Sequence, residues 1–244
     1  MLRHTGHRRN FKHNIRLAAL LCLTAGLVNI AGLLAFAVLT TNVTGHAAFF
    51  AESLSQGDFR LVRIIGFWMF LFLLGAFSSS FIIGRVGRNQ TFAYTLPILL
   101  EIGILALNAL YGHRYDGQVA AQEVFAGSLL FAMGMQNAMV SMISGSVVRT
   151  THLTGIFTDL GIDLAAATLP SSAQKAGLGH RITLRLVIIL FFLAGAVAGG
   201  YLFPVLHYHI FFVPAGLLVI AMFYDISRVR IIRVLRQIRH RFAA

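Results

Sequence analysis

The sequence has little charge and almost no cysteine. Only 11% of its 244 residues are charged, against about 25% in an average soluble domain. So few charges cannot cover a water-facing surface, and the single cysteine, Cys22, cannot build a disulfide framework. Asp and Glu together number 8 against 20 Lys and Arg. These deficits exclude a soluble enzyme, a disordered chain and a disulfide-stapled scaffold.

Apolar sequence, by contrast, is abundant: 57% of the residues are hydrophobic and the mean hydropathy is +0.78. A membrane-spanning helix needs about 20 mainly apolar residues. Because the apolar runs are continuous rather than alternating, they predict helices and not the strands of a membrane barrel. The runs are Leu17–Leu39, Leu61–Ile83, Phe92–Tyr111, Val124–Val148, Leu184–Phe203 and Ile210–Tyr224. The sequence therefore predicts an all-α integral membrane protein with six transmembrane helices.

The basic residues are distributed unevenly between the connections. Arg60, Arg63 and Arg114 fall on one side of this topology, and the other seventeen of the 20 Lys and Arg fall on the opposite side. Because basic loops remain in the cytoplasm, both termini are predicted to be cytoplasmic. The same distribution accounts for the net charge of +12 without a nucleic-acid partner. The basic tail either lies on anionic inner-leaflet lipids as an amphipathic helix or is an ordinary positive-inside stop signal.

An internal repeat divides the chain into two halves of three helices. The pattern T-T-x-x-T-G occurs at residues 40–45 and again at 150–155, and F-L-x-G-A occurs at 72–76 and 192–196. Because three crossings per half is an odd number, the second half enters the membrane from the opposite side, as in inverted-repeat transporters. The predicted organisation is a basic N-terminus (1–16), a first repeat (17–111), an external loop (112–123), a second repeat (124–224) and a basic tail (225–244).

The repeated motif has the composition of a helix start. Thr and Asn side chains cap helices and glycine permits close backbone approach, so short helices are predicted at His46–Leu54 and Ile156–Ala167. If their N-termini point into a cavity, they attract an anion or carboxylate; if they point to water, they are only well-capped interfacial helices. The motifs lie near opposite surfaces if the first helices span fully, and converge if the chain turns back inward. The candidate solute-binding residues of the two motifs are Thr40, Thr41, Asn42, Thr44 and Gly45, and Thr150, Thr151, His152, Thr154 and Gly155.

Polar side chains inside the predicted spans are further candidates, since burying them in a membrane is costly. Asn29, Gln136 and Asn137 either bind solute or form interhelical hydrogen bonds. Glu101 either carries a proton, because burial favours its neutral form, or pairs with an amide or with a carbonyl freed by Pro97.

Two acidic residues follow the second motif. Asp159 and Asp163 are four residues apart and therefore share one helix face, which makes them candidates for proton coupling. Motifs for ATP hydrolysis, metalloprotease or serine-hydrolase chemistry are missing, so neither enzyme activity nor a cofactor is expected. His207 and His209 lack a nearby carboxylate or thiol ligand, so no metal site is expected either.

The repeat motifs resemble those of the YoaK-like family, bacterial inner-membrane proteins that share a domain of unknown function. The residues that carry the resemblance are T-T-N-V-T-G at 40–45, G-M-Q-N-A at 134–138 and T-T-H-L-T-G at 150–155. The resemblance covers about residues 16–224 and implies a multi-pass protein of the bacterial inner membrane with no established substrate. Family members often carry Asp where Asn29 stands and Asn where His46 stands. If that Asp carries a proton in the family, its replacement by Asn29 weakens proton coupling in the first half, unless Glu101 takes over that role.

Two hypotheses of function follow from these observations. The first is a small secondary transporter or channel for an anionic or small polar solute, with its site between the two repeats. The second is a non-transporting membrane scaffold or sensor that uses the basic tail to bind lipid or a partner. Six short helices enclose little volume, so a homodimer is one arrangement consistent with the first hypothesis.

Overall fold

The computed structural model describes residues 11–87, 90, 92–115, 117–144, 148, 150–169 and 177–223. Within these residues the regular structure is entirely helical, without β-strands. The helices are α1 (Phe11–Phe36), α2 (Val43–Ser55), α3 (Phe59–Val86), α4 (Phe92–Tyr111), α5 (Val119–Ser144), α6 (Leu153–Thr168), α7 (Leu178–Leu206) and α8 (212–223). Short 3-10 helices follow α4 at Gly112–Arg114 and precede α8 at His207–Phe211.

Five segments are long and apolar enough to cross a membrane: Ile15–Phe36, Phe59–Val86, Ala93–Arg114, Ala120–Ser144 and Leu178–Phe223. The last segment has 46 residues, more than twice the roughly 20 that one crossing needs, and it contains both α7 and α8. His207 separates these two helices, because its φ of 46° is incompatible with continuing α7. The fold is therefore that of a multi-pass, all-α membrane protein.

The ends of α1 and α5 differ from the apolar runs that predict them. α1 ends at Phe36, short of the predicted Leu39, because Ala37 adopts a φ of 56° and the chain reverses there. The residues after the reversal are still apolar, so hydropathy alone cannot locate it. In the connection between α4 and α5, helix α5 already begins at Val119, inside residues 112–123 that were expected to form an external loop.

α1 packs against α7 through glycines on both helices. A Cβ atom on Gly26 would overlap the carbonyl oxygen of Phe192 and lie 2.9 Å from the nitrogen of Ala196. A Cβ atom on Gly195 would overlap the carbonyl oxygen of Leu23. The two backbones are therefore in direct contact, as at other small-residue interfaces in membranes.

The packing of α3 against α5 repeats this arrangement. A Cβ atom on Gly134 would overlap the carbonyl oxygen of Phe72, and one on Gly75 would overlap that of Phe131. The glycine of F-L-x-G-A thus packs against a backbone carbonyl in each half of the chain. Gly75 and Gly195 therefore both belong to close-packing interfaces between helices.

α1 and α5 run in opposite directions where they meet. The ring of Phe36, at the end of α1, stacks on Phe125 near the start of α5 with centroids 5.3 Å apart. Further along α5, the Gln136 amide donates a 2.9 Å hydrogen bond to the carbonyl of Leu21, fifteen residues before Phe36 in α1. The short helices lie outside this central pair, with α2 against α3 and α6 against α7.

Candidate functional site

The first T-T-x-x-T-G motif lies beside the last two turns of α1 rather than beyond its end. After the reversal at Ala37, the backbone N–H and the hydroxyl of Thr41 both donate to Asn29 Oδ1, at 3.1 and 2.9 Å. Asn29 is seven residues from the end of α1, which corresponds to about 10 Å of helix. Of the two geometries that the sequence left open, the first motif therefore takes the one in which the chain turns back inward. Thr40 is buried next to this turn.

Asn42 is the N-cap of α2. Its Oδ1 accepts a 3.0 Å hydrogen bond from the backbone N–H of Gly45, which satisfies one of the free donors at the helix start. A Cβ atom on Gly45 would lie only 3.0 Å from Asn42 Cγ, so the glycine makes room for the capping side chain. The predicted capping function of the motif is confirmed for Asn42. Thr44, in the first turn, remains exposed.

The second motif has the same layout but a different cap. His152 is the N-cap residue of α6 and forms no side-chain capping bond, although its imidazole lies over Gly155 as Asn42 lies over Gly45. Thr150 is buried like Thr40, and neither hydroxyl has a hydrogen-bond partner among the described residues. The first free N–H groups of α6 are therefore without a side-chain cap.

Asn137 occupies the position in α5 that Asn29 occupies in α1. It lies seven residues before Ser144, the last residue of α5, just as Asn29 lies seven before Phe36. Unlike Asn29, its buried Oδ1 has no hydrogen-bond partner among the described residues.

Both motifs line a single cavity of about 370 Å³. α3 contributes Phe72, and α5 contributes Asn137 and Ser141. The motif residues that line it are Thr41, Asn42, Val43 and Thr44, and Thr151, His152, Leu153 and Thr154. Among the described residues that line this cavity there is no Asp, Glu, Lys or Arg. We call this space the central cavity; it brings together seven of the predicted solute-binding residues.

The other predicted residues do not line the central cavity. Asn29 holds Thr41 in place, and Gln136 binds the α1 backbone, although its Oε1 has no partner among the described residues. Thr40, Gly45, Thr150 and Gly155 shape the turns behind the lining residues. Glu101 is fully enclosed within α4 and its Oε1 has no hydrogen-bond partner in the described part of the chain.

The acidic residues of α6 form an ion-pair cluster with the start of α7. Asp163, whose side chain is 6% exposed, accepts a 3.2 Å hydrogen bond from Arg181 Nε and pairs with Arg185. Asp159 is 52% exposed and lies 3.5 Å from the same Arg185. The prediction that the two aspartates share one helix face is confirmed, and the geometry gives them an evident role in fastening α6 to α7.

Sequence reasoning missed several residues around the site. Phe72 and Ser141 line the central cavity; Phe72 begins the repeated F-L-x-G-A motif but was not among the predicted site residues, and Ser141 lies in no repeated motif. His46, in α2, is buried against the ring of Trp68 and bonds to the Leu39 carbonyl at 2.7 Å. Burial lowers the pKa of His46 below its usual 6.5, and the backbone hydrogen bond opposes this shift. The feature of the sequence that could have singled out His46 is its position directly after T-T-x-x-T-G.

The architecture is that of a polytopic membrane protein in which two short helices begin at one shared cavity. The chain belongs to the family described as "Protein of unknown function (DUF1275)", whose model matches residues 17–224. It is 26% identical over 209 residues to the UPF0700 transmembrane protein YoaK of Bacillus subtilis (strain 168), an alignment that covers 83% of this chain and 89% of that protein. No solved structure matches the chain. The family resemblance carried by the repeat motifs is therefore confirmed.

Proposed function

We propose that this protein is a small secondary transporter or channel for an anionic or small polar solute, which binds in the central cavity. The observation that carries the proposal is that both T-T-x-x-T-G motifs, 110 residues apart in sequence, line the same space. Transporters built from inverted repeats bind their solute at the interface of the repeats, next to the ends of broken helices. A volume of about 370 Å³ falls within the usual range of small-molecule sites, roughly 300–1,000 Å³.

The inverted repeat is supported by the matched helix crossings. Gly26 meets Phe192 as Gly134 meets Phe72, so each half supplies one helix to each crossing. The antiparallel contact of α1 with α5 is the relation that an inverted repeat requires of its first helices. We take α7 and α8 as two crossings separated at His207, which gives six crossings in total.

The orientation follows the distribution of Lys and Arg. With both termini in the cytoplasm, seventeen of the 20 basic residues lie on the cytoplasmic side. By the family resemblance, the membrane is the bacterial inner membrane. α2 then approaches the central cavity from outside and α6 approaches it from the cytoplasm.

The chemistry of the central cavity suits a small solute that accepts hydrogen bonds. Its polar side chains are hydroxyls, amides and one imidazole, and the positive ends of α2 and α6 add backbone N–H donors. With no lining carboxylate in the described residues, a cationic solute would have no counter-charge. We therefore favour an anionic or neutral polar solute.

Glu101 is our candidate for proton coupling, because it is an enclosed carboxyl group in a span and one of its oxygens has no partner among the described residues. It does not line the central cavity, so coupling requires a movement of α4. Coupling through Asp159 or Asp163 remains part of the hypothesis, but it requires their ion pairs with α7 to open.

The remaining partners are proposals from sequence. The bilayer is the solvent, and anionic lipids are the proposed partner of tail residues 225–244, which lie outside the described residues. A homodimer is a further proposal. The scaffold hypothesis depends on the same tail, so deleting it after Tyr224 distinguishes the two: a transporter retains flux, and a scaffold loses its cellular phenotype.

Flux measurements test the proposal directly. The purified chain in liposomes should take up at least one member of a panel of inorganic and organic anions and small polar solutes. Thr44→Val and Thr154→Val should each reduce this flux, because each removes a hydroxyl from the first turn of a cavity-lining helix. Thr158→Val, one turn further along α6 and outside the cavity, is the matched control. Absence of flux for the whole panel would refute the proposal.

Cysteine accessibility tests the shared cavity without knowledge of the solute. On a Cys22-free background, Thr44→Cys and Thr154→Cys are treated with a membrane-impermeant thiol reagent from either side of intact vesicles. Labelling of both positions from both sides, or from the one side to which the cavity is open, is expected. Full labelling of Thr44→Cys from outside only, with Thr154→Cys labelled from inside only, would place the motifs at opposite surfaces.

A further inference from the structure

A second cavity, also of about 370 Å³, lies between α3, α4 and α5. Helices α3 and α5 also border the central cavity, but among the described residues the two cavities have no lining residue in common. Its walls are Phe67 and Leu71 of α3, Ile104 of α4, and Gly127 and Phe131 of α5, with Glu123 at one end. We call it the lateral groove. Phe67 is 45% exposed, so the groove opens on the outer surface of the helix bundle.

The walls of the lateral groove fit a hydrocarbon chain. From Glu123 to Phe131 the groove follows α5 for eight residues, or about 12 Å. Gly127 forms its floor, since a Cβ atom there would lie 2.6 Å from Leu71 Cδ1. α3 and α5 are both candidate membrane spans, so the medium that faces this groove is the acyl region of the bilayer.

Glu123 makes one end of the lateral groove polar and charged. It is the only charged residue among the described residues that line the groove, and it forms no salt bridge within the described part of the chain. It lies four residues after the start of α5 and three residues inside the candidate span Ala120–Ser144, and we place it at the level of the lipid headgroups. A carboxylate at the boundary of the hydrocarbon region is stabilised by a cation that can reach the same depth in the membrane.

A basic residue lies on the face of α3 that lines the lateral groove. Arg63 is four residues before Phe67 and therefore shares its helix face, and its side chain is exposed. Because Gly127 contacts Leu71 and Phe131 contacts Gly75, α3 and α5 run parallel, so Arg63 and Glu123 lie toward the same end of the groove. An acid and a base at one end of an apolar groove match a headgroup that carries an ammonium and a phosphate.

We propose that the lateral groove binds one phospholipid whose headgroup carries a primary ammonium. The acyl chain lies between Phe67 and Phe131, the ammonium donates hydrogen bonds to Glu123, and the phosphate faces Arg63. A quaternary ammonium has no N–H to donate, and an anionic headgroup brings no cation to Glu123. The site therefore selects phosphoethanolamine over phosphocholine and phosphoglycerol, whether or not the protein transports a solute.

The only tryptophan of the chain is placed to report on this site. Trp68 Cδ1 lies 4.0 Å from the position of a Cβ atom on Gly127, the floor of the groove. Bromine atoms on a lipid acyl chain quench tryptophan fluorescence at short range. The full chain would be reconstituted in phosphatidylcholine vesicles with increasing fractions of lipid brominated in the acyl chain, carrying each of the three headgroups in turn.

Half-maximal quenching should occur at a mole fraction of brominated phosphatidylethanolamine on the order of fivefold lower than for brominated phosphatidylcholine. Glu123→Gln should abolish this difference, while Glu52→Gln, an exposed acid on α2 outside the groove, should preserve it. Equal quenching by all three lipids would overturn the proposal. So would strongest quenching by phosphatidylglycerol, or an unchanged preference in Glu123→Gln. If Glu123→Gln does not reconstitute, the ranking of the three headgroups with the unmodified chain decides.

Discussion

Replacing Gly26 by alanine should loosen the crossing of α1 and α7. The new methyl group would overlap the carbonyl oxygen of Phe192 and lie 2.9 Å from the nitrogen of Ala196, and both atoms belong to the backbone. No change of side-chain rotamer can relieve a clash with backbone. The helices must instead separate by about 1 Å, and overpacking of this kind typically costs about 1–3 kcal/mol.

The matched control for this change is Gly103→Ala in α4. No atom lies within 4 Å of a Cβ at Gly103, and alanine is the better helix former, so this variant should be as stable as the unmodified chain or more so. Unfolding in detergent, followed by the fluorescence of Trp68, measures both variants. If Gly26→Ala and Gly103→Ala unfold alike, the close crossing is wrong.

The same close contact occurs at Gly134, which provides a second test of this prediction. Gly134→Ala should cost about the same 1–3 kcal/mol, because Gly134 meets Phe72 as Gly26 meets Phe192. Gly26→Ala and Gly134→Ala affect different helix pairs, so their combined effect should be additive. Gly26→Ala with Gly195→Ala should be less than additive, since the first methyl group already separates the helices.

Three further variants test the surroundings of the central cavity. Asn29→Ala removes the acceptor of both Thr41 hydrogen bonds and should destabilise the protein by about 1–3 kcal/mol, whereas Asn29→Asp keeps an acceptor oxygen and should cost less in the same detergent unfolding assay. Asp163→Asn leaves two arginines without their enclosed partner and should cost about 3 kcal/mol, while Asp159→Asn, half exposed, should cost under about 1 kcal/mol; equal costs would contradict the cluster. Because burial lowers the pKa of His46 in the folded state, the unfolded chain binds the proton more readily, so stability should fall as the pH drops below 6.5. His46→Gln should flatten this part of the pH profile, and an unchanged slope would assign it to another group.

Part of the site could be predicted from the sequence because the patterns that indicate it are local. T-T-N-V-T-G predicts a capped helix start, and Asn42 caps α2 through Gly45 as expected. The short helices after each motif follow from the same local chemistry. Glu101 also has the burial predicted for an acid within an apolar run, but nothing in the sequence indicates that it lies away from the central cavity.

Other features depend on residues that are far apart in the chain. Asp163 and Arg181 are each conspicuous in sequence, but their pairing requires α6 to pack on α7. The reversal at Ala37 occurs inside an apolar stretch, where hydropathy changes too little to mark it. Phe72 enters the central cavity only because α3 crosses α5.

The sequence by itself determined that the chain is helical and membrane-embedded, that its motifs are repeated, and that a short helix follows each motif. These helices begin at Val43 and Leu153, three residues before the predicted starts at His46 and Ile156. These properties depend on composition and on patterns within about 20 residues, which act before any tertiary contact forms. The tertiary structure alone decided that α1 packs on α7 and α3 on α5, and that two motifs 110 residues apart meet at one cavity. Glycine in a span permits a close approach but does not specify its partner, because in lipid the choice of partner depends on the fit of whole helix surfaces.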